Sequence, residues 1–142
     1  MSQNKPIILL DPYPRTMDLL FSKENLKYLK NNFKLITAPN KNKNNFYEKN
    51  LPKADYIIGQ PNLPSSLISK STKLKAIFNV ESNFMDNMDY DYCFRKGIHV
   101  LATSPVFAQP VAEMAMGLTL SIARSIHICL LYTSDAADED LR

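Results

Sequence analysis

PIILLDPYP, residues 6–14, is the stretch whose reading decides the fold. Four apolar residues, Ile7 to Leu10, run on without polar alternation and are closed by Asp11-Pro12-Tyr13-Pro14. A strand without alternation is buried on both faces, the habit of a parallel sheet. Parallel neighbours need long crossovers, so helices are expected between the strands. Ser22, before Lys23-Glu24-Asn25, reads as the N-cap of a helix that turns Leu26, Leu29 and Tyr28 inward and ends near Asn31-Asn32. Thr16–Phe21 reads as a preceding helical turn. Lys34–Ala38 is the second strand and Ala54–Gly59 the third, closed by Gly59-Gln60-Pro61. Pro64-Ser65-Ser66 opens a short helix through Leu67 and Ile68, and Leu74–Val80 (LKAIFNV) is the fourth strand. Asp86–Lys96 carries Met88, Tyr92 and Cys93 at helical spacing and stops at Gly97. Gly97–Ala102 is the fifth strand. The expectation is an α/β fold, a doubly wound parallel sheet of about five strands. Pro39–Pro52, rich in Asn and Lys, reads as an exposed, mobile loop with one turn around Phe46-Tyr47.

SPVFAQPVAEMAMGLTLSIARSIH, residues 104–127, reads as one long helix with Pro110 at its first helical position, where a missing N–H costs nothing. Glu113, Gly117, Ser121 and Arg124 make one narrow polar stripe, and the rest is mostly apolar. A surface helix buries a narrower face than this, so packing on two sides is expected. That fits either a central helix of a larger helical core or a helix wedged between this domain and a second one. Glu113 and Arg124 interrupt the run, which argues against a membrane span.

The 142 residues suffice for one domain and not for two, and 45% hydrophobic content marks a globular chain. Met1–Lys5 is polar and Ile7–Leu10 is too short for a signal-peptide core, so the expected location is the cytosol. Cys93 and Cys129 belong to no Cys-x-x-Cys or Cys/His cluster, which points to buried or incidental thiols and to no zinc. The net charge is +3, with lysines beside asparagines in Lys41–Lys49 and along the polar face of Leu26–Lys34. No aromatic-interleaved basic stripe accompanies them, so a solvated surface is expected and no nucleic acid. Residues 129–142 (CLLYTSDAADEDLR) carry −3, leaving +6 on residues 1–128. CLLYTSDAADE resembles a translated sequencing adapter, and the segment is set aside as a non-native, disordered tail; a genuine acidic tail is the alternative.

In an open parallel sheet, ligands bind outside the carboxyl ends of the strands. That rule selects Asp11–Pro14, Gly59–Gln60, Glu81–Phe84 and Ala102–Pro105. Glu81-Ser82-Asn83-Phe84 stands out, because turning N–H groups and a nearby helix start can hold a small anion such as a carboxylate. An ordinary turn with Asn83 in the left-handed region is the plainer alternative. His99 and His127 have no nameable carboxylate partner and read as core or surface residues. Asp86, Asp89 and Asp91 lack the glycine and closing glutamate of a calcium loop and read as the charged start of a helix. There is no G-x-G-x-x-G, P-loop, G-x-S-x-G or H-E-x-x-H. No catalytic residue and no metal ligand is nominated.

Taken as a unit, Leu74–His127 resembles the D-isomer-specific 2-hydroxyacid dehydrogenases, a group that includes phosphoglycerate dehydrogenases and formate dehydrogenase. The likeness covers most of residues 5–128. Its sharpest pieces are Asp86-Asn87-Met88-Asp89, Gly97-Ile98-His99-Val100, and Val111-Ala112-Glu113 followed by the apolar helix to Ala123-Arg124. The resemblance implies a flavodoxin-like substrate-binding domain over residues 1–103 and an interdomain helix over 104–128 that leads into an NAD-binding Rossmann domain. It implies that backbone amides of the turn Glu81, Ser82, Asn83 and Phe84 hold the substrate carboxylate. Glycines usual in that turn are replaced by Ser82 and Phe84. Phe84 narrows the pocket, and Glu81, if ionised and facing inward, repels an anionic substrate; either the substrate is unusual or the side chains turn away. Phe107 stands where many members carry an Asn near substrate and cofactor, which implies a less polar pocket.

The family's glycine-rich turn and its catalytic Arg, Glu and His map beyond residue 128. The resemblance therefore implies a truncated piece of an NAD-dependent oxidoreductase acting on a D-2-hydroxy acid, inactive alone. NAD or NADP is expected in the full-length enzyme and no tight binding by this chain. The implied partners are a small 2-keto or 2-hydroxy acid, the NAD-binding domain and, at full length, a second copy in a homodimer. A stand-alone flavodoxin-like binding or interaction module is the alternative. A receiver domain is disfavoured by Gly59-Gln60 and Thr103-Ser104 where its Asp and Lys belong, and a flavodoxin by Asp11-Pro12-Tyr13-Pro14 in place of a phosphate loop.

Overall fold

Strand β1 (Ile7–Asp11) lies between β2 (Lys34–Thr37) and β3 (Tyr56–Gly59), and beyond β3 come β4 (Ala76–Phe78) and β5 (His99–Leu101). Every pairing is parallel, in the order β2-β1-β3-β4-β5. This is the doubly wound sheet expected from the apolar runs. The computed structural model describes residues 5–81, 83–126 and 128–132. The chain divides into two units, Met1–Thr103 and Ser104–Arg142.

Register explains the core of the first unit. Leu9 pairs with Ile57, Ile57 with Ile77, and Ile77 with Val100, so these four side chains share one face of the sheet. All are buried, and they form one cluster with Tyr47 of α3 (Lys43–Asn50), Leu67 and Ile68 of α4 (Ser65–Ile68) and Cys93 of α5 (Tyr90–Arg95). Each such side chain contributes about 1.5–3 kcal/mol by leaving water. The opposite face is covered unevenly. Ile8 and Leu10 are buried there, and Met17 of α1 (Met17–Leu20) and Leu26 of α2 (Lys23–Asn32) line a groove beside Leu10. Further along the same face, Phe78 and Leu101 remain 39% and 47% exposed.

Local chemistry sets the helix ends. Ser22 accepts a hydrogen bond from the Asn25 N–H at 3.1 Å and starts α2, as expected of an N-cap. Leu26 and Leu29 are half-buried, while Tyr28 is exposed rather than inward. Asp89 caps α5 by accepting from the Tyr92 N–H at 2.8 Å, so this helix begins after the Asp86–Met88 turn and is shorter than its spacing implied. Gly97, at φ +71°, takes the left-handed conformation that ends it.

Two expectations are corrected. Pro39–Pro52 is not an exposed loop: residues 43–50 form α3, followed by a 3-10 turn over Leu51–Lys53. Tyr47 and Leu51 sit one turn apart and are 1% and 0% exposed, enough to anchor a helix whose composition is otherwise polar. The second concerns Pro110, which lies inside the long helix α6 (Ser104–Ala123) rather than at its start. Pro105 occupies the first turn, where its missing N–H is harmless. None of the residues of α6 is buried. The helix ends before a turn in which Ser125 has φ +50°; residues 128–132 are helical, and His127 and residues 133–142 lie outside the described residues.

Gly59 closes β3 opposite Asp11. A Cβ on Gly59 would stand 2.6 Å from the Asp11 carbonyl oxygen and 2.8 Å from its Cβ. Neither atom can retreat, because both belong to β1, which is held between β2 and β3. Gly59→Ala is expected to destabilise the domain by about 1–3 kcal/mol, measured by urea unfolding. An unchanged midpoint would show that the two strands can separate freely here.

Candidate functional site

The carboxyl edge of the sheet begins with a buried charge. Asp11, 2% exposed, ends β1 beside the point where the strand order reverses. Its carboxylate accepts from Lys43 Nζ at 2.7 Å and from the Tyr47 hydroxyl at 3.0 Å, both on α3. Burial, and then the Asp11 charge, push the Tyr47 phenol above its ordinary range. This trio is fully engaged internally, and Lys43 also lies 4.8 Å over the ring of Tyr13.

A second group ties the edge loops together. Arg15, in the loop after β1, donates from Nε to Glu81 Oε1 at 3.0 Å and from Nη2 to Oε2 at 3.3 Å, across 66 residues of sequence. The Glu81 N–H donates to Gln60 Oε1 at 3.2 Å, and Gln60 Nε2 donates to the Asn83 carbonyl at 3.4 Å. Loops after β1, β3 and β4 therefore meet at Glu81. The Arg15 hydrogen bond lowers the Glu81 pKa, with burial opposing, and Glu81 in turn raises that of Arg15. Glu81 is thus an ionised but neutralised carboxylate.

Beyond Glu81 the turn is held from beneath. Phe84 packs edge-on against Tyr90, with ring centroids 5.2 Å apart, and is itself 57% exposed. The Tyr90 hydroxyl lies 2.7 Å from the Met85 carbonyl and 2.9 Å from Asn87 Oδ1. Asn87 Nδ2 donates to the Pro61 carbonyl at 2.7 Å, and Leu63 forms a parallel bridge with Met88. Burial raises the Tyr90 phenol.

The structure brings together Glu81, Asn83 and Phe84 of the nominated turn; Ser82 lies outside the described residues. Asn83 does not adopt positive φ; among described residues other than glycine only Asn42 and Ser125 do. Phe107 lies in the first turn of α6, in the second unit, and is 51% exposed. His99 begins β5, at the amino edge of the sheet, away from this turn. Cys93 is fully buried, and burial followed by the Asp89 charge raises its thiol pKa, as for an inert core cysteine. Among the described residues no group of His, Cys, Asp and Glu could hold a metal. These residues do not form a dinucleotide site either. Gly59, Gly97 and Gly117 are far apart in sequence, and Pro12, Pro14, Pro61 and Pro64 remove N–H donors from the edge loops.

Sequence reasoning missed Arg15, Lys43, Tyr47 and Tyr90. A lone arginine four residues past the first strand carries no pattern, and its partner is fixed only by the fold. Tyr47 left one signal, its i, i+4 spacing with Leu51 in a polar stretch.

The profile of the D-isomer specific 2-hydroxyacid dehydrogenase catalytic domain matches residues 15–140. A phosphoglycerate oxidoreductase from Rhizobium etli is similar at 40% identity over 86% of this chain, with a TM-score of 0.70. The PH0520 protein from Pyrococcus horikoshii OT3 shares the fold at 21% identity over 88% of this chain, TM-score 0.64. The chain spans 38% and 35% of the lengths of these two proteins. Among curated proteins no match is found.

The Arg15–Glu81 pair has a pH signature. A carboxylate with a lowered folded pKa adds stability above the unfolded value, about 4.3, and that contribution is lost as pH falls through the lowered value. Carbon-13 titration of Glu81 is expected to give a midpoint below that of ordinary glutamates in the wild type and an ordinary one in Arg15→Gln. Identical midpoints would mean the pair does not form in solution.

Proposed function

The chain belongs to the D-isomer specific 2-hydroxyacid dehydrogenase family, and from that membership we propose that it builds part of the substrate cleft for hydride exchange between a D-2-hydroxy acid and NAD. The enzymes of this family use NAD, and its hydride chemistry requires the nicotinamide to be set against the substrate carbon with an acid/base at the oxygen. In this reading both come from sequence outside these 142 residues. What this chain contributes is binding and orientation. N–H groups of the turn after β4 receive the substrate carboxylate, Arg15 cancels the repulsion that Glu81 would otherwise exert on it, and Phe84 limits the room beside it. The Glu81 N–H is already engaged by Gln60, so reception falls to the later amides of the turn. The cytosol is the proposed setting.

The observation that carries the proposal is α6. It offers Val106, Val111, Met114, Met116, Leu118 and Ile122 at 57–73% exposure, far more contiguous apolar surface than a self-sufficient domain leaves to water. A nucleotide-binding domain is the cover that family membership supplies. The alternative, a stand-alone interaction module, shares the exposed helix but predicts no gain of chemistry on adding that domain.

The test co-expresses the chain with the nucleotide-binding part of the Rhizobium etli relative. NADH oxidation followed at 340 nm with a panel of 2-keto acids is expected to be absent for the chain alone and present for the purified pair. Turnover by the chain alone, or a soluble pair without turnover, would overturn the proposal.

A further inference from the structure

Strand β2 ends the sheet: it pairs with β1 on one side, and among the described residues no strand lies on the other. The Lys34 N–H donates to the Pro6 carbonyl at 2.9 Å and the Ala38 N–H to the Leu10 carbonyl at 2.7 Å. In a parallel ladder alternate residues bond to the same neighbour, so the N–H and carbonyl groups of Leu35 and Thr37 point away from β1. An unpaired row of this kind is a template for one more strand.

Both faces of this strand open onto grooves. Leu35 and Thr37 share the face of Ile8 and Leu10 and line a groove with Leu26 and Phe33, in which Lys30 is the one charged residue. Ile36 shares the opposite face with Leu9 and lines a groove with Phe46, Lys41, Lys49 and Lys53. No Asp or Glu lines either groove, and among the described residues none of these four lysines makes an ion pair. Lysines on an edge strand commonly guard it against aggregation, and Lys34, on β2 itself, fits that role. Lys30 belongs instead to α2, Lys49 to α3, and Lys41 and Lys53 to the segments on either side of α3. They charge the grooves rather than the strand.

The side chains of an added strand alternate between the two faces of the sheet. One set meets Leu26, Phe33 and Leu35, and the other meets three lysines around Ile36 and Phe46. The chemistry that complements this pair of grooves is a strand aliphatic on one side and carboxylate-bearing on the other. We propose that the free edge of β2 is a docking site for an extended acidic peptide, which adds a strand beside Leu35 and Thr37 and sets its carboxylates among Lys41, Lys49 and Lys53. None of these residues takes part in the turn after β4, so the inference stands apart from the function proposed above.

The test titrates the isotope-labelled 142-residue chain with a capped heptapeptide alternating Glu and Val, read by amide shifts and amide exchange. Saturation is expected to slow exchange of the Leu35 and Thr37 amides about tenfold, while the Ile36 amide, already engaged by β1, keeps its rate. Lys49→Glu combined with Lys53→Glu is expected to weaken binding about tenfold. The same peptide N-methylated at every second residue, on the amides turned toward β2, is expected to lose its binding, because the added ladder cannot form. Absence of binding at millimolar peptide overturns the inference. So does affinity undiminished by N-methylation or matched by a single-stranded oligonucleotide of equal charge, either of which marks a bare basic surface. Wild-type affinity in the folded lysine variant overturns it as well; should that variant fail to fold, the N-methylated peptide decides.

Discussion

A carboxylate buried at the end of β1 has to be paired, and much of the first unit follows from that requirement. Removing an ion from water costs several kcal/mol even after relaxation, and Asp11 is 2% exposed. Its charge is met by Lys43 at 2.7 Å and by the Tyr47 hydroxyl at 3.0 Å. Those two groups lie four residues apart, one helical turn, so satisfying the carboxylate favours a helix over residues 43–50. The same helix delivers Tyr47 to the core cluster beside Leu9 and Leu51. A polar Asn/Lys segment is thus ordered from within by one charge and two apolar side chains. The close approach of Gly59 to Asp11 completes the arrangement, since a larger residue there would push β3 away from the strand that carries the charge.

The candidate site repeats the logic in solvent, where its energetics differ. Arg15 and Glu81 are partly exposed, 52% and 26% at the side chain, so their pairing is worth little as stability. Its effect is local charge. The turn carries a carboxylate of its own, and the guanidinium makes the pair neutral without removing it. Gln60 links the same residue to the loop after β3. Three loops that are distant in sequence are therefore registered against each other at the edge where an open parallel sheet binds ligands.

The strands were legible because a parallel sheet buries both faces: Ile7–Leu10, Tyr56–Gly59 and Ala76–Phe78 announce themselves as apolar runs. The helix cap at Ser22 and the stop at Gly97 were legible for equally local reasons, while the cap at Asp89 was not singled out from Asp86 and Asp91. What escaped was whatever depends on a partner distant in sequence. Tyr47 reads as one aromatic in a polar stretch until Asp11 is seen beneath it, and Arg15 reads as a solvated base until the fold sets Glu81 3.0 Å away. Pro110 misled for a related reason. Proline at a helix start is a strong local preference, but Pro105 already fills that role, and the helix runs on through a second proline, Pro110. The turn after β4 was singled out by a rule about topology, while Tyr90, whose hydroxyl holds the Met85 carbonyl and Asn87 beneath it, has no pattern a linear reading could weigh.

Helix α6 poses the sharpest choice between environments. By length and composition it could cross a bilayer, and its side chains are as apolar as lipid would require. Glu113 argues against lipid. It stands at the tenth of the helix's 20 residues, where a carboxylate in hydrocarbon has no compensation, and here it accepts from Gln109 Nε2 at 2.8 Å on the same face. A protein surface can cover the apolar residues to either side of such a pair and leave the pair itself wet or hydrogen-bonded; lipid tails cannot. Gly117 continues the small and polar stripe one turn further along, where nothing lies within 4 Å of the position its Cβ would take. A helix that is greasy around most of its girth, yet carries one seam of polar and small groups, presents both kinds of surface at once, and on the proposed function both are met by a second domain.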